Sequence, residues 1–98
     1  MATIIKTVNK KELQGLNYLK SDVLFNNMEK EKRKILLEKA YRMSNGVNAN
    51  KARIVFACSD GIKKIETRII SLNKTSVILK GVSSLPIKSI IGVTVIQD

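Results

Sequence analysis

From residue 51 to residue 96, short apolar runs alternate with turn residues at nearly even spacing. This pattern is typical of a small β-sheet that closes, or half closes, on itself. In the first predicted strand, Lys51–Cys58, alternation places one apolar set on a single face: Ala52, Ile54, Phe56 and Cys58. The pair Asp60-Gly61 follows and predicts a tight hairpin, because such a turn needs residues that tolerate positive φ.

The second predicted strand, Ile62–Leu72, is long and changes phase. Ile65, Thr67 and Ile69 share one face, and Ile70 and Leu72 then carry the apolar set on the other, as expected where a strand bends or bulges. The elements predicted after it are strands at Val77–Leu79, Leu85–Ile87 and Gly92–Ile96, with one 3₁₀ turn at 88–91. Because Pro86 lacks a backbone donor, we expect its strand to lie at a sheet edge.

A helical pattern precedes the strands, over Met28–Met43. Asn26 or Asn27 is a good N-cap, and Asn45-Gly46 is a stop signal. A helix of about sixteen residues is not stable alone, so we expect an apolar face of it to lie on the sheet. Helical spacing predicts that this face consists of Met28, Ile35, Leu36, Ala40 and Met43, widened by Leu37 and Tyr41.

Residues 1–25 follow no single period. Asn9 and Glu12 have the spacing of a capping box, which predicts a short helix that Gly15 limits. We therefore expect an N-terminal segment, 1–25, that is partly helical or flexible. A single domain at 26–98 would then combine the helix at 28–43 with a small β-barrel at 51–97.

The strand pattern resembles an SH3-like small barrel, and within that class the Sm-like proteins, which include bacterial RNA chaperones. The residues that carry the resemblance are Asp60-Gly61-Ile62-Lys63, Ser71-Leu72-Asn73, Val77-Ile78-Leu79-Lys80, and Lys88 before Ile90 and Val93. It implies an α+β fold with an N-terminal helix packed on a five-stranded SH3-like (Sm-like) small β-barrel. Lys88 matches the lysine of a Lys-His pair at the RNA-binding pore of those chaperones, and Ser89 stands in place of the histidine.

A second resemblance is to a family of small uncharacterised bacterial proteins with an E-T-x-V…L-K-G-G…I-P-I…I pattern. The matching residues are Glu66-Thr67, Leu79-Lys80-Gly81 and Leu85-Pro86-Ile87-Lys88-Ser89-Ile90-Ile91. Val82 stands where the family usually has a second glycine. Membership would imply the same fold and no particular activity.

The formal charge of this 98-residue chain is +10, which favours an anionic partner. Residues 1–50 carry ten Lys or Arg against five Asp or Glu, and residues 51–98 carry eight against three, so neither half is a basic tail. The richness in Lys, Ile and Asn offers another explanation, since an AT-rich genome favours these residues. The charge is therefore either functional or compositional.

The chemistry that the sequence offers is sparse. It has no histidine, which excludes histidine-based nucleophile pairs and metal sites, and its glycines form no phosphate-binding loop. The single cysteine, Cys58, alternates with apolar residues and is expected to be a core residue. We therefore predict no catalytic residues, metal or cofactor. A single cysteine, which cannot form an intramolecular disulfide, fits a cytoplasmic protein. We predict no membrane role, because no apolar run has membrane-spanning length.

Two basic clusters remain, one on the helix and one on the predicted hairpin. The hairpin cluster, which is Arg53, Lys63, Lys64 and Arg68, is less interrupted by acids. We predict that nucleic acid is bound at these four residues and at Lys88, which the Sm-like resemblance adds. The predicted function is thus a non-catalytic basic domain that binds RNA or DNA, RNA being favoured, through phosphates. The alternative is a protein-interaction or structural module, with an acidic protein as the partner.

Overall fold

A computed structural model describes residues 5–46, 50–81 and 83–96 of the chain. The first four residues of the predicted N-terminal segment, and Val82 and the last residue of the predicted barrel, lie outside the described residues. The elements are β1 (Lys6–Thr7), α1 (Lys10–Leu13), α2 (Asn27–Ser44), β2 (Lys51–Cys58), β3 (Gly61–Thr67), β4 (Ile69–Leu72), β5 (Ser76–Leu79), β6 (Ser83–Pro86), a 3₁₀ helix (Ile87–Ser89) and β7 (Ile90–Ile96).

The strands form two open sheets, one of four strands in the order β1-β3-β2-β7 and one of three strands in the order β4-β5-β6. The expectation of an N-terminal helix on a five-stranded SH3-like (Sm-like) barrel is therefore wrong. One long helix, α2, contacts strands of both sheets instead, namely β2, β4 and β7.

Closure fails at two points in the described chain. The predicted strand Ile62–Leu72 is interrupted at Arg68, and its halves pair with different partners: β3 with β1 and β2, and β4 with β5. The 3₁₀ helix then separates β6 from β7, which pair with β5 and β2 respectively. Because no described ladder joins β6 to β7, the two sheets are not closed into a barrel.

The predicted hairpin is confirmed. Cys58 pairs with Gly61, which has a φ of +130°, a conformation that suits glycine. The predicted inner face of β2 is confirmed too, since all four of its residues are buried. Three of them, Ala52, Ile54 and Phe56, join a core built from both sheets and α2, together with Ile65, Ile69, Val77, Leu79, Leu85, Ile90, Val93, Leu37 and Ala40.

Helix α2 begins where the sequence predicts. Of the predicted packing face, Leu37 and Ala40 are buried and Tyr41 packs partly buried against the core, whereas Met28, Ile35 and Leu36 are exposed. The side chain of Asn26 accepts a hydrogen bond from Met28 N at 2.7 Å, as an N-cap does. The buried stripe, however, is Arg33, Leu37, Ala40 and Ser44. Ser44 Oγ accepts from Ile69 N at 3.1 Å, so small and polar residues bring the helix close to β4.

The N-terminal segment contributes to the core. β1 pairs in parallel with β3, and Val8 N donates to Lys64 O at 2.8 Å. The Asn9–Glu12 capping box is present and starts α1. Val8 and Leu13 are both buried, which attaches this segment to the strands that follow much later.

Candidate functional site

One side of the four-stranded sheet is open to solvent. Side chains alternate along β2, so that residues next to its buried set face the other way. The strand register aligns Arg53 with Glu66 of β3 and Thr94 of β7, and aligns Val55 with Lys64 and Gly92. We call the resulting surface the outer sheet face: Lys51, Arg53, Val55, Lys64, Glu66 and Thr94, all exposed or half-buried.

Arg53 and Glu66 form an ion pair on the outer sheet face. Arg53 Nε lies 2.7 Å from Glu66 Oε2, and the side chains are 45% and 36% exposed. The hydrogen bond from Arg53 lowers the pKa of the Glu66 carboxyl, which therefore stays ionised and offsets the charge of Arg53. Lys51 and Lys64 make no ion pair with any described residue, so the face carries a positive excess.

Lys63 lies on the other side of β3 from Lys64. Its side chain is only 12% exposed, and its Nζ is 3.5 Å from Asp60 Oδ2. Asp60 also accepts a hydrogen bond from Cys58 Sγ at 2.8 Å, which lowers the pKa of its carboxyl. Burial, followed by that bond to Asp60, raises the pKa of the Cys58 thiol. Lys63 therefore belongs to a partnered cluster at the hairpin.

The other two predicted contact residues lie apart from each other. Arg68 follows β3, and its carbonyl accepts from Lys80 N at 3.0 Å. Lys88 is exposed in the 3₁₀ helix, two residues before the Ile90–Phe56 pair. Arg68 thus lies near the start of β2 and Lys88 towards its end. Of the five predicted residues, only Arg53 and Lys64 share the outer sheet face.

A cleft of about 790 Å³ separates α2 from the β4–β5 turn and the 3₁₀ helix. Lysines come to it from both sides, Lys30 and Lys34 from the helix and Lys74 from the turn, and Leu37 and Ile87 supply apolar lining. The lining also includes two carboxylates and the buried guanidinium: Glu31, Glu38 and Arg33. Its positive excess is therefore weaker than its lysines suggest.

Two features were missed at the sequence level. Lys51 belongs to the outer sheet face, and the alternation along β2 is a signal that places it beside Arg53. The second feature is an ion pair between Arg33 and Asp22, with Nη2 2.7 Å from Oδ2. Eleven residues separate the partners within a stretch of no clear period, so spacing gives no signal for it.

Neither a metal site nor a membrane-spanning helix is found in the part of the chain that the structure describes. No three His, Cys, Asp or Glu residues there are grouped so that they could hold a metal ion, and none of the helices there combines the length and the apolar composition of a membrane span. In comparisons with known proteins, no family model, no curated protein and no solved structure matches this chain. The resemblance to the small bacterial family therefore stays a prediction.

Proposed function

We propose that this chain is a non-catalytic domain that binds nucleic acid through phosphate contacts on the outer sheet face. The observation that carries the proposal is the charge of that face. Lys51, Arg53 and Lys64 lie on two neighbouring strands, and Glu66 is the one carboxylate among the residues that define the face. Two of the three cations are unpaired with described residues, so they are free to meet phosphates.

The charge balance of the whole chain supports this function. Its net charge is +10, and the described residues form ion pairs at only three carboxylates, those of Asp22, Asp60 and Glu66. Each cation that meets a phosphate releases a condensed counterion, which drives binding and makes it sensitive to salt. Val55 and Thr94 stand where base-stacking aromatic residues would be needed, so we expect little selectivity for sequence.

The test is a titration of fluorescein-labelled single-stranded RNA, with DNA of the same sequence as the second substrate. If the two unpaired lysines engage about two phosphates, raising salt from about 50 to about 200 mM should weaken single-strand binding by about 7-fold. The double variant Lys51→Gln/Lys64→Gln should lose most of this affinity and most of the salt dependence.

The matched control is Lys11→Gln/Lys20→Gln, which removes the same charge at two exposed residues outside the face. Equal losses in both double variants would mean that net charge, and not this face, governs binding. The proposal is wrong if the unmodified chain shows no salt-sensitive binding at micromolar concentration.

A further inference from the structure

Helix α2 carries an exposed apolar stripe on a different side from its buried one. Met28, Ile35 and Leu36 are 72%, 55% and 41% exposed. Phe25, directly before the N-cap residue, is 91% exposed. Met28, Ile35 and Leu36 are residues that the sequence pattern assigns to packing on the sheet, and all three are exposed instead. We call Met28, Ile35 and Leu36, with the lysines between them, Lys32 and Lys39, the exposed stripe.

The exposed stripe is continuous along the helix. At about 100° per residue, its five members fall within an arc of about 100°, and residues 28 to 39 span about 17 Å of helix axis. Grouped apolar side chains of this size at a protein surface mark an interaction site more often than single exposed ones do. A convex helical surface of this kind is best matched by the ridges and grooves of a second helix.

The positive charge of the exposed stripe indicates the charge of the helix that could bind there. Lys32 and Lys39 lie seven residues apart on the same face, and neither forms an ion pair with a described residue. Glu31 and Glu38 are turned towards the cleft that they help to line. A second copy of this chain is disfavoured because each copy carries a charge of +10. Complementary carboxylates are therefore expected on the partner.

We propose that the exposed stripe binds an acidic amphipathic α-helix of another protein. The apolar residues of that helix pack on Met28, Ile35 and Leu36, and its carboxylates pair with Lys32 and Lys39. A shallow recess of about 440 Å³ lies in the segment before α2, with a lining that includes Leu19, Val23 and Phe25. This surface is separate from the outer sheet face, so the two binding activities can be tested independently.

The probe is a synthetic, fluorescently labelled peptide with leucines at positions i, i+3, i+4 and i+7 and glutamates on both flanks. We expect saturable binding to the full chain that weakens as salt is raised. Ile35→Ser should weaken it by about tenfold, and Lys32→Gln/Lys39→Gln should weaken it and remove most of the salt effect. Because these side chains are exposed, the thermal midpoint of unfolding should not fall.

The matched control is Ile70→Ser, since Ile70 is a similarly exposed isoleucine, at 46%, on β4. Peptide affinity should be unchanged in this variant. Equal binding of a peptide with lysines in place of the glutamates would overturn the proposal. So would an unchanged affinity in Ile35→Ser, a dimer in sedimentation that Ile35→Ser dissociates, or binding to phosphatidylglycerol vesicles without binding to the acidic peptide.

Discussion

Arg33 and Asp22 face each other across two hydrogen bonds, with Nη1–Oδ1 and Nη2–Oδ2 distances of 2.9 and 2.7 Å. The Arg33 side chain is 6% exposed, and its Nη1 also donates to Ile90 O at 3.0 Å. A bidentate pair of this kind is among the stronger hydrogen-bonded contacts in proteins. One side chain of α2 thereby holds the N-terminal segment and β7 together.

Asp22→Asn should destabilise the fold by about 3–5 kcal/mol, the range for removing one partner of a buried ion pair. The substitution keeps the shape of the side chain but leaves the buried guanidinium of Arg33 without its counter-charge. We place the effect towards the lower end of the range because the Asp22 side chain is 18% exposed. Urea unfolding at neutral pH measures the loss, with Glu38→Gln on the exposed side of α2 as a charge-matched control.

A double-mutant cycle separates the ion pair from general disruption at these positions. The double variant Asp22→Asn/Arg33→Met should lose at least about 1 kcal/mol less free energy of unfolding than the two single variants lose in sum. The reason is that Arg33→Met removes the buried charge that Asp22→Asn leaves unpaired. Strict additivity of the two losses would contradict a coupled pair.

The same pair predicts how stability depends on acid. The hydrogen bond from Arg33 is the main cause that lowers the pKa of the Asp22 carboxyl below its ordinary value of 3.8. A lowered pKa means that the fold favours the ionised form, so this stabilisation is complete above the ordinary value. It is lost as pH falls through the folded-state pKa. Thermal midpoints between about pH 6 and about pH 2 should therefore fall less in Asp22→Asn than in the unmodified chain.

The hydroxyl of the partly buried Tyr18 should make the stability of the fold depend on pH in alkaline solution. Burial, and secondarily the nearby Cys58, raises the pKa of its phenol to about 12, and its hydroxyl donates to Leu13 O at 3.0 Å. Since the fold favours the neutral form, the stabilisation is present below the ordinary pKa of 10.0 and is lost as pH rises towards about 12. The absorbance difference between the unmodified chain and Tyr18→Phe should show a midpoint near the raised pKa; a midpoint near 10 would contradict burial of this hydroxyl.

Glu66→Gln should increase nucleic-acid affinity if the outer sheet face is the contact surface. The change removes the carboxylate that offsets Arg53 and leaves three cations available. Affinity at low salt should rise by about threefold to tenfold, and the salt dependence should steepen by about one phosphate contact. The same titration reports both quantities.

The comparison variant for this prediction is Glu29→Gln, which makes the same charge change on α2. If it tightens binding as much as Glu66→Gln does, the gain comes from net charge alone. Little change in stability is expected from Glu66→Gln, because an exposed ion pair contributes about 1 kcal/mol or less.

The features that the sequence predicted correctly depend on neighbours a few residues apart. The hairpin at Gly61 needs a positive φ, and the caps at Asn9 and Asn26 need a side-chain oxygen near free backbone N–H groups. Pro86 lies in β6, at the edge of the three-stranded sheet, as predicted from its lack of a backbone N–H donor. The alternation along β2 likewise identified its buried side.

The hydrophobic pattern of the sequence could not predict features that depend on residues far apart in the chain. Helix α2 has two candidate faces, and hydrophobicity alone favours the one with Met28 and Ile35. The face that packs contains Arg33 and Ser44, whose burial depends on Asp22 and on the backbone of Ile69. Likewise, the pattern reveals a change of phase in the strand after Ile62 but not that its two halves join separate sheets.

The bond from Arg33 to the carbonyl of Ile90 spans 57 positions. Contacts between residues far apart in sequence slow folding, because the entropy of closing a long loop is lost before the contact stabilises the chain. The backbone hydrogen bonds of helix α2 can form early in folding. The helix packs in its final position only after β7 has paired with β2. We therefore expect the guanidinium to be secured late, with substitutions at Arg33 accelerating unfolding far more than they retard folding.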